Sequence, residues 1–142
     1  MLYGPTVYDR RDLFTLSDGG QIYLDYMGEF KTNDSRPLLF VVPGLYGNSQ
    51  SIYIRNIAKI GKQRGYDVVV INYRGLCGAK LTSPRLYCSY SYEDIQEPIV
   101  SLHEKYPEKK IFAVACSMGA NILTNMIGIQ GENCLIQSAC IL

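Results

Sequence analysis

Tryptophan is absent from this sequence of 142 residues, and histidine occurs once, as His103. Histidine is the side chain that most often transfers protons near neutral pH, so a mechanism that needs one must use His103 or a histidine from elsewhere. The charged residues almost cancel, since 14 Lys and Arg stand against 13 Asp and Glu. Proteins that bind nucleic acid through its phosphates usually carry a basic stripe, and this sequence has none. We therefore predict no nucleic-acid partner.

The usual motifs of metal and nucleotide sites are also missing. The five cysteines show no CxxC spacing and have no neighbouring histidine, which argues against a zinc site and against a disulfide framework. Neither the GxGxxG pattern nor the Walker pattern of nucleotide-binding loops occurs. We predict no metal and no cofactor, and we interpret the cysteines as reduced thiols. They are Cys77, Cys88, Cys116, Cys134 and Cys140.

Long apolar runs are lacking too. No run reaches about 18 apolar residues, the length that crosses a bilayer. The first residues, MLYGPTVYDRRD, have no apolar stretch of the kind found in a signal peptide. Together with the reduced cysteines, this predicts an intracellular protein that is either cytoplasmic or associated with a membrane, and peripheral membrane contact stays open.

The residues that are present predict one α/β domain. Hydrophobic residues make up 47% of the chain, which is enough for a substantial core. Continuously apolar runs alternate with amphipathic segments, as in buried parallel strands joined by crossover helices. Two β-prone runs on either side of Asp18-Gly19-Gly20 predict a hairpin, which precedes the alternating strands and helices in the chain. The predicted strands cover 13–16, 21–26, 38–42, 68–71, 111–115 and 135–142, and the predicted helices cover 51–64, 91–106 and 118–129.

One strand–turn–helix segment carries the strongest chemical signal. The predicted strand 111–115 runs into Ser117, and a helix follows at once. In a nucleophile elbow a serine occupies such a sharp turn, and the residues two before and two after it must be small because strand and helix approach closely. The usual pattern is G-x-S-x-G, and here Ala115 and Gly119 flank Ser117. We predict that Ser117 is a nucleophile; the alternative is a small residue in an ordinary tight turn.

Two backbone amides are candidates for an oxyanion hole, the N–H groups that bind the negative oxygen formed during acyl transfer. The Met118 amide follows Ser117 at a helix amino terminus, where the helix dipole favours negative charge. The second donor is expected from the glycine-rich loop after strand 38–42, and Leu45 is the best candidate there. The predicted helix that starts near residue 91 has Ser91 as its predicted N-cap, with Asp94 near the first-turn amides.

Five short motifs recur in the order found in a known family. They are PGLYGNS at 43–49, NYRG at 72–75, SPRLYC at 83–88, ED at 93–94 and SMGAN at 117–121. In these motifs the chain, from about residue 18 to its end, resembles a branch of the α/β-hydrolase superfamily. That branch contains animal phospholipases and acylglycerol lipases, yeast medium-chain ester synthases/esterases and bacterial esterases.

The resemblance implies an α/β-hydrolase fold, in which an N-terminal hairpin joins a mostly parallel sheet with crossover helices. It also implies a serine hydrolase that cleaves carboxylic esters of lipids, or other small esters, through an acyl-enzyme. Ser117 matches the family's nucleophile, and Leu45 and Met118 match its oxyanion-hole positions. The candidates for the loops beside the substrate pocket are Gly44, Tyr46, Asn72 and Arg74. For Arg74 we favour a structural role that ties down the long loop after it.

The triad acid and histidine have no counterpart in this sequence. In the family both follow later strands, in the order Ser, Asp, His. His103 is predicted in the middle of a crossover helix, away from the strand ends where Ser117 lies, so we do not expect it to act as the base. Asp94 is interpreted as a carboxylate at a helix start. We therefore expect residues 1–142 to be the amino-terminal portion of a longer hydrolase, incomplete after about the sixth strand.

Two other functions stay open. The last predicted strand, 135–142, would leave an unpaired apolar edge, which favours self-association unless something covers it. One alternative is therefore a non-catalytic truncated product or an interaction module. The other is an acyltransferase, in which an alcohol replaces water and the same nucleophile is used.

Overall fold

The computed structural model describes residues 8–142, in which helices pack against a six-stranded sheet. Residues 1–7, part of the segment considered above for a signal peptide, lie outside the described residues. The strands are β1 Arg10–Thr15, β2 Gln21–Met27, β3 Leu38–Val42, β4 Asp67–Asn72, β5 Ile111–Ala115 and β6 Ile136–Ile141. The α-helices are α1 Ile52–Gln63, α2 Glu93–Lys105 and α3 Met118–Gln130, and a 3₁₀ turn covers Gly131–Asn133.

The strands lie side by side in the order β1-β2-β4-β3-β5-β6. β1 and β2 form an antiparallel hairpin, and β2 pairs antiparallel with β4. The other neighbours, β4-β3-β5-β6, run parallel, and a helix connects each of them to the next along the chain. This confirms the predicted hairpin and mostly parallel sheet. Because parallel strands end at one edge of a sheet, the loops after β3, β4 and β5 meet there.

Helices cover both faces of the parallel strands. Along β3, Leu38, Phe40 and Val42 belong to a core shared with α2 and α3. Leu39 and Val41 belong to a second core on the other face, shared with α1. All of these side chains are buried, because side chains alternate across a strand and both faces are covered. This is why the strand is apolar without interruption.

The hairpin extends further than the sequence predicts. β1 begins at Arg10, before the predicted start at Leu13, although its first residues are charged. It is an edge strand whose side chains alternate between exposed and half-buried. An edge strand with one solvated face tolerates charge, so its first residues lack the apolar pattern by which strands are recognised.

The predicted cap of the second helix is wrong. α2 begins at Glu93 with Tyr92 in the N-cap position, and no side chain caps it. The Ser91 hydroxyl instead accepts a hydrogen bond from the Cys88 amide at 2.9 Å, which closes a turn in the preceding loop. Asp94 pairs with Arg74, because a buried carboxylate interacts more strongly with a guanidinium than with helix amides.

The close approach of α1 to the sheet at Gly61 gives a testable prediction. A Cβ at Gly61 would lie 2.8 Å from Leu39 Cδ2 and 3.0 Å from Val68 Cγ2, whereas one at Gly128 on α3 would meet nothing within 4 Å. We expect Gly61→Ala to lower the free energy of unfolding by about 1–2 kcal/mol, because overpacking outweighs helix propensity. Gly128→Ala should raise it by about 0.5–1 kcal/mol. Urea unfolding compares the two variants, and equal effects would contradict the close packing at Gly61.

Candidate active site

Ser117 occupies a strained turn between β5 and α3. Its backbone has φ 51° and ψ −120°, a conformation that residues other than glycine rarely adopt. Such strain costs about 1–3 kcal/mol and persists only where the surroundings hold it. Here the Ser117 amide donates to the Leu142 carbonyl at 2.7 Å, and the Cys116 amide donates to the Val42 carbonyl at 3.1 Å. Hydrogen bonds to segments on both sides thus fix the turn, and Ser117 itself is exposed.

The loop after β3 lies directly against this turn. A Cβ on Gly44 would lie 3.1 Å from the Cβ of Ser117. A Cβ on Gly119 would overlap the Pro43 carbonyl oxygen and would lie 2.8 Å from the Val42 carbonyl oxygen. Backbone therefore contacts backbone at this point, and a side chain at position 119 would push the loop away from Ser117. This is the physical reason why the sequence pattern has a small residue, here Gly119, two positions after Ser117.

Leu45 and Met118, the predicted oxyanion-hole residues, lie on the two segments that touch. Within residues 8–142 no acceptor takes a hydrogen bond from either of their amides. The amides of Gly44, Tyr46 and Gly47, in contrast, all donate to groups of the protein. An N–H group without a partner inside the fold is available to an oxygen atom of a ligand. Leu45 is 59% exposed, so a ligand can reach this loop.

Cys116 directly precedes Ser117, and its thiol is a second side chain at this turn that could act as a nucleophile. It is only half-buried, but burial raises the pKa of its thiol. A thiol with a raised pKa is protonated near neutral pH and is a poor nucleophile. Of the two side chains, the exposed Ser117 hydroxyl is the more accessible to a ligand.

An apolar cavity of about 260 Å³ opens beside loop 43–47. The loop forms one wall, and the long connection after β4 forms the other. The side chains that line the cavity are mainly apolar and include Leu45, Tyr46, Leu76, Leu81, Leu86 and Tyr87. Cavities with such a lining suit a hydrocarbon group better than a charged one. Of the candidates for the pocket loops, Tyr46 lies in this wall, and Gly44 lies where the loop contacts Ser117.

Arg74 also reaches the cavity, but its guanidinium is held by other groups. It is 2% exposed, and its Nε and Nη2 donate to the two carboxylate oxygens of Asp94 at 2.8 and 2.6 Å. Its Nη1 donates to Asp18 at 2.7 Å and to Ser83 at 2.8 Å. The hydrogen bond from Arg74 lowers the pKa of the Asp18 carboxyl. Arg74 thus joins the hairpin turn, the long connection and α2, which supports the structural role favoured above.

Asn72, another candidate for the pocket, is fully buried. Its Oδ1 accepts a hydrogen bond from the Ser49 amide at 2.8 Å, and its Nδ2 donates to Asp25 at 2.9 Å. The guanidinium of Arg11 donates to both oxygens of the same Asp25 carboxylate at 2.6 and 2.7 Å. The cavity lining does not include Asn72. Its side chain instead ties the end of β4 to the segment that leads into α1.

His103 lies at the opposite end of the sheet from Ser117. It lines a cavity together with Lys110, which precedes β5, and Cys134, which precedes β6. Ser117 follows the other end of β5, and five residues of strand span about 16 Å. A general base acts within about 3 Å of the proton it removes, or through one water. His103 therefore does not reach Ser117.

Residues 8–142 contain neither a metal-binding cluster nor a membrane-spanning helix. In that part of the chain no three or more His, Cys, Asp or Glu side chains are grouped so that they could hold a metal ion. None of the helices described there is both long enough and apolar enough to cross a bilayer. The five cysteines all carry free thiols.

Comparison with known proteins places this arrangement of sheet and turns in a family. The family model described as the alpha/beta hydrolase fold matches residues 37–134, a range that includes β3, α1, β4, α2, β5 and the Ser117 turn. The chain belongs to the α/β-hydrolase family. A solved esterase of Pyrococcus furiosus shares the fold of this α/β hydrolase, with a TM-score of 0.72 at 19% identity, over 93% of this chain and 50% of that chain.

Two curated relatives are similar to this α/β hydrolase in sequence. Phospholipase ABHD3 of Homo sapiens is 34% identical over 140 residues, which are 95% of this chain and 34% of that protein. Medium-chain fatty acid ethyl ester synthase/esterase 2 of Saccharomyces cerevisiae is 34% identical over 107 residues, 75% of this chain and 24% of that protein. The chain thus spans about a third, or less, of the length of these relatives.

Three tyrosines that contact loop 43–47 carry no sequence pattern that predicts this role: Tyr53, Tyr73 and Tyr87. Tyr73 and Tyr87 lie inside motifs 72–75 and 83–88, and this is the signal that draws attention to them. Tyr53 lies outside the motifs, on α1. The pairing of each hydroxyl with its backbone partner is a tertiary contact, which no local pattern predicts.

Arg74 and Arg85 provide a matched test of the buried ion pair. The side chains of Arg74 and Asp94 are 2% and 1% exposed, whereas those of Arg85 and Glu93 are 39% and 40% exposed. We expect Arg74→Gln to lower the free energy of unfolding by about 3–5 kcal/mol, because it leaves a buried carboxylate unpaired. Arg85→Gln should change it by less than about 1 kcal/mol. Urea unfolding compares the variants, and similar losses for both would contradict the structural role of Arg74.

Proposed function

We propose that this chain carries the nucleophile and the oxyanion hole of a serine hydrolase that cleaves carboxylic esters of lipids. The observation that carries the proposal is the contact between the strained, exposed Ser117 turn and loop 43–47. At that contact the amides of Leu45 and Met118 have no acceptor among residues 8–142. A serine hydroxyl beside two uncommitted N–H groups is the arrangement that acyl transfer requires.

The proposed reaction uses Ser117 as an acyl carrier. The Ser117 oxygen attacks the ester carbonyl carbon and gives its proton to a base, and the Leu45 and Met118 amides bind the oxyanion that forms. Collapse of this intermediate breaks the bond to the alcohol oxygen, which takes the proton and leaves. Water then attacks the acyl-enzyme, releases the carboxylic acid and restores the serine. No metal and no cofactor takes part in these steps.

The base and the acid of this mechanism are proposed to lie outside residues 1–142. The sequence has one histidine, and His103 is separated from Ser117 by the length of β5. The similar phospholipase and ester synthase/esterase are about three times as long as this chain, or longer. A longer chain has room for a strand that brings an aspartate and a histidine to the same edge of the sheet.

Lipid esters are the proposed substrate class for two reasons. The similar proteins are named a phospholipase and a medium-chain fatty acid ethyl ester synthase/esterase. In this chain, Leu45 and Tyr46 border an apolar cavity of about 260 Å³ next to the proposed oxyanion hole. Leu45 belongs both to this lining and to the proposed oxyanion hole, so an acyl chain placed there would lie against the loop that carries one of the proposed donors. Peripheral contact with a membrane is part of this proposal, since the esters of lipids reside there.

Two other candidates each have an observation in their favour. The name of the yeast relative includes ester synthesis as well as hydrolysis, which favours an acyltransferase that uses the same Ser117 and an alcohol instead of water. The distance of His103 from Ser117 favours a non-catalytic role for residues 1–142 on their own. In that role β6, which is an edge strand among residues 8–142, would be available for self-association, since Ile141 and the adjoining Leu142 are exposed.

A long-chain fluorophosphonate probe tests the proposed nucleophile. In the full-length protein we expect it to label Ser117, because phosphonylation requires an activated serine, and Ser117→Ala should abolish labelling. Ser35→Ala, at an exposed serine far from the turn, should leave labelling unchanged. Residues 1–142 alone should hydrolyse p-nitrophenyl octanoate no faster than their Ser117→Ala variant, because a triad without its base retains only binding and oxyanion stabilisation.

Two results would overturn these assignments. Labelling that persists in the Ser117→Ala variant of the full-length protein would show that another residue is the nucleophile. Robust turnover by residues 1–142 that depends on Ser117 would show that the base lies within this chain. Formation of an ester from an added alcohol, measured in the same assay, distinguishes the acyltransferase from the hydrolase.

A further inference from the structure

Loop 43–47 is held by the hydroxyl groups of three tyrosines. Tyr53 lies in the first turn of α1, Tyr73 directly follows β4, and Tyr87 lies in the long connection before α2. Each tyrosine comes from a different segment of the chain and bonds to a different backbone group of the loop. The reaction proposed above assigns no step to any of these hydroxyls.

Tyr53 fills the inside of the loop. Its hydroxyl oxygen accepts a hydrogen bond from the Gly44 amide at 3.0 Å. The Gly47 amide donates to the Gly44 carbonyl at 2.9 Å, so the loop folds back on itself around this hydroxyl. A Cβ on Gly47 would overlap the hydroxyl oxygen of Tyr53. The glycine at position 47 is thus matched to the tyrosine at position 53.

Tyr73 and Tyr87 form a stacked pair, and each of the two hydroxyls makes a hydrogen bond to the loop. Their ring centroids are 4.5 Å apart and their planes differ by 4°. The Tyr73 hydroxyl donates to the Pro43 carbonyl at 2.9 Å, and the Tyr87 hydroxyl accepts from the Tyr46 amide at 3.2 Å. Tyr73 is fully buried, and this burial raises the pKa of its hydroxyl, so the group stays protonated and able to donate.

Tyr46 shows why the loop needs such support. Its φ is 56°, in the left-handed region that bulky residues avoid. Its residue surface is 74% exposed, so packing of the ring does not hold the backbone in place. The hydrogen bond from the Tyr46 amide to Tyr87 therefore fixes the peptide that follows Leu45, and the bond from Gly44 to Tyr53 fixes the peptide that precedes Gly44.

We propose that Tyr53, Tyr73 and Tyr87, which we call the tyrosine clamp, are positioning residues that hold the Leu45 amide ready for the oxyanion. The clamp and the Gly44 carbonyl engage the amides at 44, 46 and 47, and the Leu45 amide is left for a ligand. Oxyanion stabilisation depends on donors that are fixed before the reaction, so a loosened loop weakens it selectively in the transition state. This inference rests on the proposed function of Ser117.

Phenylalanine variants of the full-length protein test the clamp, because they keep each ring and remove only the hydroxyl. For Tyr53→Phe and Tyr87→Phe we expect kcat for p-nitrophenyl octanoate to fall about 3–10-fold, which is the effect of one lost hydrogen bond. KM should stay within about 2-fold of the wild-type value, because the lost stabilisation belongs to the transition state. Inhibition by octyl trifluoromethyl ketone, whose serine adduct carries an oxyanion, should weaken in parallel. Tyr66→Phe, which keeps its ring contact with Phe112, is the matched control and should leave kcat unchanged.

Each outcome of this experiment has a distinct meaning. If Ser117→Ala abolishes turnover and both clamp variants keep wild-type kcat and ketone inhibition, the clamp proposal is wrong and the proposed nucleophile stands. If kcat falls only together with the thermal unfolding temperature, or KM rises while kcat is unchanged, the tyrosines support folding or substrate binding and the clamp proposal is again wrong. If Ser117→Ala retains turnover, the proposed function itself fails.

Discussion

The contact on which the site depends is the one between the backbone of loop 43–47 and the backbone of the Ser117 turn. Gly119 leaves no room for a side chain between α3 and the Pro43 carbonyl, and Gly44 lies against the Cβ of Ser117. The contact exists because β3 and β5 are parallel neighbours, so that the loops after them leave the sheet side by side. This contact places the amino terminus of α3 and the strained Ser117 turn next to loop 43–47, and within residues 8–142 the amides of Leu45 and Met118 have no acceptor.

A second set of interactions fixes the loops around that contact through buried polar groups. Arg74 joins Asp18 in the hairpin turn to Asp94 in α2, and Asn72 joins Asp25 to the segment that leads into α1. Buried charges of this kind contribute little net stability, but they are costly to break, so they restrict the loops to one arrangement. The hairpin therefore contributes to the site although none of its residues lies beside Ser117: its carboxylates hold the arginine and asparagine that fix the loop after β4.

The sequence predicts some parts of this structure well and others not at all, and the difference is physical. Strands β3 and β5 are predicted to the residue because both lie inside the sheet and every position in them is apolar. β1 is predicted short because an edge strand tolerates charge. The start of α2 is misplaced because Ser91 closes a turn with Cys88 instead of capping the helix, and because Asp94 bonds to Arg74, 20 residues away. The Ser117 turn follows from local spacing alone. The clamp hydroxyls do not, because their partners lie 9, 30 and 41 residues away along the chain. The sequence contains twelve tyrosines, and composition alone does not show which of them contact the loop.

The most direct test of the account is a crystal structure of the full-length protein with octyl trifluoromethyl ketone bound to its active site. The account predicts a bond from Ser117 Oγ to the ketone carbon, with the ketone oxygen about 2.7–3.1 Å from the amide nitrogens of both Leu45 and Met118. It also predicts the alkyl chain in the cavity beside Leu45 and Tyr46, and a histidine other than His103 within hydrogen-bonding distance of Ser117. An adduct on another residue, or an oxyanion bound by other groups with the Leu45 amide more than about 3.5 Å away, would contradict it.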